Sequence, residues 1–401
     1  MTTRPAALLR RVARISSIAI VVPLVLLASQ QPQAPGIIRP RPGQGRQTEW
    51  PPPSIRDYKP RSTLVVPQHP VPRAKFPVVD VHAHQPTPIS QSEYEEVVQA
   101  MDRLNLRVIV NPSGSSGSRL REGLEAIRTS RHPDRMVLFA NVDFSDVGPG
   151  FGVRAAKQLE EDLKAGAVGL KVFKDLGLFD RRSDGSRLRV DDPELDPIWD
   201  TCARLRVPVL IHSAEPAMFF EPIDFTNERW LEQALYRERR YQDRSRFPTF
   251  EALVAERDRM FTTHRATTFI MAHMGWHAND LVRLGAMLDR MPNVYPDVAA
   301  ILYDLGRQPR AAHDFFVKYQ DRVVFGKDSY QPDEYPYYWR TFETADEYFD
   351  YYRDYHAFWK LYGLSLSDVV LRKLYYANAV RVIPGLPANA KSLLSTASPP
   401  P

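Results

Sequence analysis

Four short apolar runs in the chain each end in a residue type that binds divalent metals. The runs are 78–84, 207–212, 268–273 and 323–328, and they end in His84, His212, His273 and Asp328. Apolar, β-branched runs of this length are typical of buried strands. If the strands are parallel, their carboxyl ends lie at one edge, and imidazole and carboxylate are ligands that transition metals prefer. The pattern predicts a metalloenzyme on a parallel β/α scaffold.

Strand-like runs alternate with helical patterns from residue 77 onward. The runs lie near 78–82, 106–110, 136–142, 167–173, 207–212, 267–272, 293–298 and 322–326. The helical patterns lie near 91–104, 119–131, 153–165, 194–205, 249–264, 278–290 and 309–319. This alternation implies parallel strands joined by right-handed crossovers, and eight units over roughly 310 residues fit a (β/α)8 TIM barrel. An open doubly wound sheet is the alternative, but a closed barrel brings the four strand ends together more easily.

Two connections are unusually long, namely 213–248 after the fifth strand and 329–362 after the eighth. Long loops at the carboxyl end of a barrel commonly shape its active site. The second connection is rich in aromatic residues and could form a substrate wall. We favour the interpretation that most of these rings pack against the barrel or a neighbouring subunit, which leaves a homo-oligomer open.

His82 and His84 alternate with Ala83 at the end of the first strand. Side chains at positions i and i+2 of a strand project to the same face, so both imidazoles can reach one metal. Without a metal, two buried histidines would need other partners for their ring nitrogens. The match with His212, His273 and Asp328 at later strand ends therefore favours a metal over histidines that only fill the core.

Six short motifs carry a family resemblance. They are Asp80-Val81-His82-Ala83-His84, 169–173 with Lys171, Ile211-His212-Ser213-Ala214-Glu215, Ala272-His273-Met274-Gly275, Phe325-Gly326-Lys327-Asp328 and Tyr376-Ala377-Asn378-Ala379. Over about residues 77–385 the chain resembles the second amidohydrolase family of the amidohydrolase superfamily. This resemblance implies a metal-dependent TIM-barrel hydrolase or decarboxylase.

The resemblance also implies roles for individual residues. His82, His84, His212 and Asp328 would bind the metal, and His273 would lie just beyond it and polarise or orient the substrate. We expect zinc, as one ion or two. Water on zinc ionises near pH ~7, a neighbouring Asp can take its proton, and a histidine can hydrogen-bond a carbonyl oxygen as negative charge develops.

Two lysines have more than one interpretation. Lys171 ends the fourth strand, where some superfamily members carry a carboxylated lysine between two metals; it could instead donate hydrogen bonds as an ammonium beside one metal, and we count it as a catalytic candidate. Lys174 follows as a candidate substrate-facing cation. Lys327 stands where the family usually has Ser or Thr, and we expect it to tune Asp328 or contact an acidic substrate.

The N-terminal segment of the chain predicts export. Residues 1–29 combine four arginines with an apolar stretch that ends in small residues, as in a signal peptide. Residues 30–76 form a Pro-rich linker or arm, 77–385 the metal-dependent domain, and 386–401 a disordered tail. The expected location is periplasmic or secreted. The single cysteine, Cys202, excludes an intrachain disulfide.

The net charge of +5 is concentrated at the N-terminus. Residues 1–29 and 30–75 carry +4 and +6, so the remainder is at −5. A mildly acidic domain gives no reason to expect nucleic acid as a partner, whereas the basic linker could contact a membrane or cell wall.

The function we expect is hydrolysis of a small-molecule amide, ester or lactone carbonyl by a metal-activated water. Two alternatives stay open. One is a metal-dependent decarboxylase of a small carboxylic acid, and the other is a non-catalytic, metal-stabilised binding protein. The fold alone does not separate them.

Overall fold

The computed structural model describes Pro51 and residues 54–356 and 359–397. The predicted signal peptide, 1–29, and the linker up to residue 50 lie outside the described residues. The chain divides into the units Met1–Pro53 and Ser54–Pro401, and the second contains every element below. No helix among the described residues is both long and apolar enough to cross a membrane.

The strands of Ser54–Pro401 form mainly parallel pairs. They are β1 (Val78–Asp80), β2 (Ala83–His84), β3 (Leu106–Asn111), β4 (Met136–Leu138), β5 (Ala140–Asn141), β6 (Leu170–Val172), β7 (Val209–Ile211), β8 (Phe269–Met271), β9 (Val294–Pro296), β10 (Asp328–Ser329), β11 (Phe349–Asp350) and β12 (Lys360–Leu361). β1, β3 and β4 form one parallel sheet, and β5 to β9 form a second in chain order. β10 pairs with β2 in parallel, while β11 and β12 form an antiparallel hairpin.

The predicted TIM-barrel order is confirmed by how these sheets join. β4 and β5 are the two halves of the predicted strand 136–142, and an isolated parallel bridge links Asp297 to Val324. The eighth strand then returns to the first, since Val81 N–H donates to the Phe325 carbonyl and β10 pairs with β2. The hydrogen-bonded ladder is interrupted, but each predicted strand neighbours the next around the ring.

The predicted eighth strand, 322–326, joins its neighbours only through single backbone contacts. Regular pairing begins only at Asp328, and Val324 forms just the isolated bridge. Asp328 has a positive φ of 82°, and its N–H donates to the His82 carbonyl over 2.6 Å. The pairing thus starts where the backbone turns to present the Asp328 side chain.

The helices follow the predicted pattern closely. They are α1 (Gln91–Leu104), α2 (Gly117–Arg128), α3 (Phe151–Ala165), α4 (Asp175–Leu178), α5 (Asp196–Leu205), α6 (Trp230–Leu235), α7 (Phe250–Thr263), α8 (Leu281–Arg290), α9 (Leu302–Arg307), α10 (Pro309–Lys318), α11 (Tyr335–Glu343), α12 (Asp368–Arg372), α13 (Asn378–Val382) and α14 (Ala388–Lys391), with a π-helical turn at Lys373–Ala377. Local chemistry sets their ends: at α1, Ser90 and Glu93 form a reciprocal capping box. The predicted helices therefore start and stop within a few residues of the observed ones.

The aromatic segment after the eighth strand mostly packs into the core, as we expected. Tyr335, Tyr338, Trp339 and Phe342 are all fully buried. The ring of Trp339 lies 5.0 Å from that of Phe325 on the eighth strand. These contacts fix the segment on the barrel wall.

The two ends of the unit Ser54–Pro401 differ in secondary structure. Residues 59–71 contain no helix or strand, and His69 N–H is held by the Asp346 carboxylate over 2.6 Å, as an arm that wraps the domain would be. The expectation of a disordered tail from 386 is wrong as far as residue 397. Ala388–Ala397 is helical, and Leu386, Ala390 and Leu393 are buried, so this segment gains enough apolar contact to fold.

Candidate metal centre

His82, His84 and Asp328 meet at the carboxyl ends of the first and eighth strands. The Nε2 atoms of His82 and His84 are 3.3 Å apart. Asp328 Oδ1 lies 3.5 Å from Nε2 of His82 and 3.6 Å from Nε2 of His84. The pairing of β2 with β10 places the two strands side by side and so brings the three groups together.

These separations fit a tetrahedrally coordinated divalent ion. Ligand atoms about 2.1 Å from such an ion lie about 3.4 Å from one another. No hydrogen bond joins the Asp328 carboxylate to either imidazole at the distances observed. The three side chains therefore fit a divalent metal.

The protonation states of this group suit a cation. Burial lowers the pKa of His82 well below its usual value, and burial also lowers the pKa of His84 to about 4. Burial would raise the pKa of Asp328, but the neighbouring His273, His82, His84 and Lys171 hold it below its usual value. At neutral pH two imidazole lone pairs and one carboxylate are thus available.

The outer nitrogens of both imidazoles are hydrogen-bonded. His82 Nδ1 lies 2.8 Å from Asp297 Oδ2, and His84 Nδ1 lies 2.7 Å from Ser113 Oγ. Because a carboxylate only accepts, His82 carries its hydrogen on Nδ1 and leaves Nε2 free for a ligand bond. Asp297 was not singled out from the sequence, although it follows an apolar strand like the other candidates.

His273 begins an unusual turn. From His273 to Trp276 the backbone has positive φ at every residue, between 50° and 60°. At Gly275 an added Cβ would lie 2.5 Å from Arg257 Nη1. Asp297 Oδ1 accepts from His273 N–H over 2.7 Å and so holds the turn. Strained backbone of this kind is concentrated at functional sites.

The hydrogen on His273 is fixed by its surroundings. Its Nδ1 lies 2.8 Å from the Ala299 carbonyl oxygen, which only accepts, so Nδ1 is the donor. Burial lowers the pKa of His273 to about 4, which leaves Nε2 with a lone pair at neutral pH. A neutral His273 therefore accepts a hydrogen bond at Nε2. It can donate one to a substrate carbonyl oxygen, as the sequence led us to expect, only when its ring is protonated.

The structure places His212 beside His273. His212 Nδ1 is 3.3 Å from His273 Nε2, and the two rings are 4.4 Å apart. Among the described residues, the close group with His82 and Asp328 contains His84 and does not include His212. His212 Nε2 is buried and has no hydrogen-bond partner among the residues that the structure describes; Glu215 Oε2 is 3.7 Å from it. Its assignment as a fourth ligand stays a prediction.

Lys171 lies inside the site. It is fully buried, and its Nζ is 3.2 Å from His82 Nε2. Burial lowers the pKa of Lys171 to about 8, so the neutral amine is accessible near physiological pH. The structure places this lysine beside the predicted metal ligands. Its position is compatible both with an ammonium that donates hydrogen bonds and with a carboxylated lysine between two metals.

Of the two roles expected for Lys327, the electrostatic interaction with Asp328 is present, but Lys327 does not line the cavity beside Asp328, so the structure gives no support for a substrate contact. Its Nζ pairs with Glu334 and lies 5.8 and 5.7 Å from the ring centres of Tyr335 and Tyr338. Lys327 is therefore an anchor for the segment after the eighth strand.

A cavity of about 180 Å³ opens beside the candidate ligands. Its lining includes His212, His273, Asp328, Lys174, Glu215, Phe219, Arg229, Glu232, Arg239, Trp276, Tyr303, Arg353 and Tyr355. Burial would raise the pKa of Glu215, but His212 and Lys174 lower it to about 2. The cavity is thus lined by charged and aromatic side chains. Most of them come from the two long connections, 213–248 and 329–362, and the length of these connections is the only sequence signal that could have indicated them.

The comparison with known families agrees with this geometry. The Amidohydro_2 family, described as amidohydrolase, matches residues 79–385. This match confirms the resemblance to the second amidohydrolase family. No curated protein matches the chain.

Several solved structures are similar to the chain. An uncharacterised TIM-barrel protein from Bordetella bronchiseptica shares 16% identity, with 78% of this chain and 99% of that chain covered and a TM-score of 0.49. A 2,6-dihydroxybenzoate decarboxylase from Rhizobium shares 17%, with 77% and 99% covered and a TM-score of 0.48. A 4-oxalomesaconate hydratase from Rhodopseudomonas palustris shares 15%, with 80% and 100% covered and a TM-score of 0.48. At these values the likenesses carry no argument about substrate or reaction.

Proposed function

Since the chain belongs to the amidohydrolase family over residues 79–385, we propose that it is a metal-dependent hydrolase of a small-molecule amide, ester or lactone carbonyl. The observation that carries this proposal is the convergence of His82, His84 and Asp328 within 3.3–3.6 Å of one another. We propose zinc as the ion, with His212 as a further ligand.

The chain's own residues then divide the chemistry between them. A divalent ion held by this group would supply an activated water as the nucleophile. Asp328 would be the general base that accepts the proton of such a water and returns it to the leaving group. The lone pair on His273 Nε2 orients a hydrogen of the water or of the substrate. Lys171 and Lys174 are the cations available to stabilise a developing negative charge.

A cationic side chain close to the candidate metal ligands leaves decarboxylation as a second candidate reaction. Lys174 lines the cavity together with Asp328, so the carboxylate of an acid could lie near the metal ligands. The two reactions differ in their products, because decarboxylation releases CO₂ and hydrolysis releases two polar fragments. A non-catalytic binding protein is the third candidate and would give neither product.

The test is a pair of assays on the metal-loaded protein. Acyl amides, esters and lactones are followed by acid release in a pH-stat, and aromatic carboxylates are followed by CO₂ evolution. We expect acid release that stops with a chelator and returns with added Zn²⁺. CO₂ release without hydrolysis would replace the proposal with the lyase, and neither product would favour the binding protein.

Matched variants separate the metal site from general damage to the protein. His84→Ala should abolish acid release, whereas Arg310→Gln, at an exposed arginine outside this cavity, should leave it unchanged. Acid release retained in His84→Ala would contradict the proposal.

We further propose that the protein is exported to the periplasm or secreted, on the basis of the basic and apolar pattern of residues 1–29. N-terminal sequencing of protein from an exporting host should find a start near residue 29 or 30. An intact Met1 on cytoplasmic protein would contradict export.

A further inference from the structure

One arginine in the metal-site cavity has no carboxylate partner. Arg353 lines the cavity with Asp328 and His273. Among the described residues, no carboxylate oxygen lies within ion-pair distance of Arg353, and its guanidinium lies 5.5 and 6.0 Å from the ring centres of Tyr352 and Tyr355. A guanidinium in such a place presents five hydrogen-bond donors to whatever enters.

The other cations of the cavity lining each have a carboxylate partner. Arg229 donates to Glu232 over 2.6 Å, and Arg239 pairs with the other oxygen of the same carboxylate. Lys174 pairs with Glu215. A partly buried charge without a partner is costly, so Arg353 is expected to gain from an anion supplied by a ligand.

The charges of the lining side chains determine whether the cavity favours an anionic or a cationic ligand. Four cationic side chains, Lys174, Arg229, Arg239 and Arg353, face the three carboxylates of Glu215, Glu232 and Asp328. Asp328 is assigned to the metal, which leaves two carboxylates for four cations. The cavity is therefore electropositive and selects anions over neutral molecules.

Rigid packing around Arg353 favours specific recognition. The ring of Tyr351 stacks on His356 with an interplanar angle of 5°, and the ring of Tyr352 lies 5.2 Å from that of Tyr337. The two residues that precede Arg353 in the chain are thus held by aromatic contacts. Because the chain is held at these tyrosines, less backbone freedom is lost when Arg353 binds an anion.

The size and walls of the cavity narrow the chemistry further. One planar guanidinium matches one carboxylate in a bidentate pair, and a second carboxylate on the ligand would find only cations of the lining that already have a carboxylate partner. The volume of about 180 Å³ and the rings of Phe219, Trp276 and Tyr303 suit a small molecule with a flat apolar body.

We propose that Arg353 binds a carboxylate group of the substrate, so that the site takes small, singly acidic molecules with an apolar body. This inference rests on the proposed function in placing the reacting bond at Asp328 and the carboxylate at Arg353. It makes Arg353 the residue that determines specificity.

The test measures binding of benzoate and of its neutral isostere benzamide to the full-length, metal-loaded protein by calorimetry. We expect benzoate to bind at least about tenfold more tightly than benzamide. Arg353→Gln should weaken benzoate binding about 10- to 100-fold and leave benzamide unchanged, since a hydrogen-bonded charge pair is lost. Arg353→Lys should recover part of the affinity, and Arg310→Gln should bind like the wild type.

A second arm uses the same protein after treatment with a chelator, because benzoate could otherwise bind the ion itself. The loss in Arg353→Gln should persist there. Equal binding of benzoate and benzamide, no benzoate binding, or an Arg353 effect that disappears without metal would each overturn the inference. The comparison of the two ligands on the wild type decides the question even if Arg353→Gln does not fold. Absence of turnover with intact, Arg353-dependent binding would instead refute the proposed function alone.

Discussion

His82 Nδ1 lies 2.8 Å from Asp297 Oδ2, and both side chains are fully buried. The other oxygen of the same carboxylate accepts from His273 N–H and, over 3.1 Å, from Ala299 N–H. The Asp297 carboxylate, which directly follows β9, therefore orients His82, a predicted metal ligand. It also holds the turn that carries His273, a predicted catalytic residue.

Replacing this carboxylate should weaken metal binding. In Asp297→Asn the amide oxygen can still accept from the backbone N–H groups of His273 and Ala299, but the NH2 group then faces His82 Nδ1 and cannot accept, so His82 loses its fixed tautomer. We expect metal affinity to fall about 10- to 100-fold, as for other residues that orient metal-bound histidines. Competition with a fluorescent zinc chelator measures the change.

The control for this substitution is Asp333→Asn, which neutralises an exposed carboxylate. It should retain wild-type metal affinity. Unchanged affinity in Asp297→Asn, in protein with a normal melting temperature, would show that Asp297 does not orient the site.

His273→Asn tests the catalytic role of the histidine at the start of the turn. We expect retained metal, near-normal stability and turnover lower by about 100- to 1,000-fold, since the group acts on the reaction and not on metal binding. Metal analysis, thermal unfolding and turnover on one preparation separate the possibilities. Metal lost together with activity would make His273 a ligand, and reduced stability with normal turnover would make it a core residue.

Lys171→Met tests the lysine 3.2 Å from His82 Nε2. We expect turnover to fall about 100-fold or more, because a buried cation or its carboxylated form is removed from the reacting centre. Metal analysis then separates the two interpretations of Lys171. One ion per chain in both proteins indicates an ammonium donor, and a drop from two ions to one indicates a carboxylated bridge.

Lys164→Met is the matched control, since Lys164 lies on the exposed face of α3 and pairs with Glu160. It should keep wild-type turnover. If Lys171→Met also retains wild-type turnover and metal content, Lys171 is only structural.

His277 predicts an acid-sensitive contribution to stability. Arg257 donates to its Nε2 over 3.2 Å, and burial lowers its pKa to about 2 in the folded protein. An unfolded histidine has a pKa of about 6.5, so below that pH the unfolded chain binds one more proton and the free energy of unfolding falls as pH falls. Between pH 7 and pH 5 the loss is up to about 2 kcal/mol.

His277→Gln keeps an acceptor for Arg257 but does not titrate. Urea unfolding at pH 7 and pH 5 should therefore show a smaller acid loss in the variant than in the wild type. An identical loss in both proteins would mean that His277 is protonated in the folded state or does not contribute.

The convergence of His82, His84 and Asp328 was predictable because each follows an apolar run, and parallel strands bring such ends together. Asp297 has the same signal, since it follows β9, and could have been included on that ground. The start of regular pairing at Asp328 could not be predicted, because the turn there, with its positive φ, depends on contacts with His82 that no local pattern encodes.

The cavity wall could not be predicted in the same way. Arg353 and Arg229 lie in the two long connections, where neither a period of two nor a period of 3.6 fixes which side chains face inward. The direction of Lys327 likewise depends on Glu334 and on rings supplied by α11. These positions follow from packing between distant segments, which the sequence specifies only through the complete fold.

The central claim is that His82, His84 and Asp328 hold a divalent ion. Its most direct test is the metal content per folded chain of the wild type and of the double variant His82→Ala/His84→Ala, determined by elemental analysis after the same dialysis. We predict at least one zinc per chain in the wild type and almost none in the double variant. Undiminished metal in the folded double variant would contradict the claim.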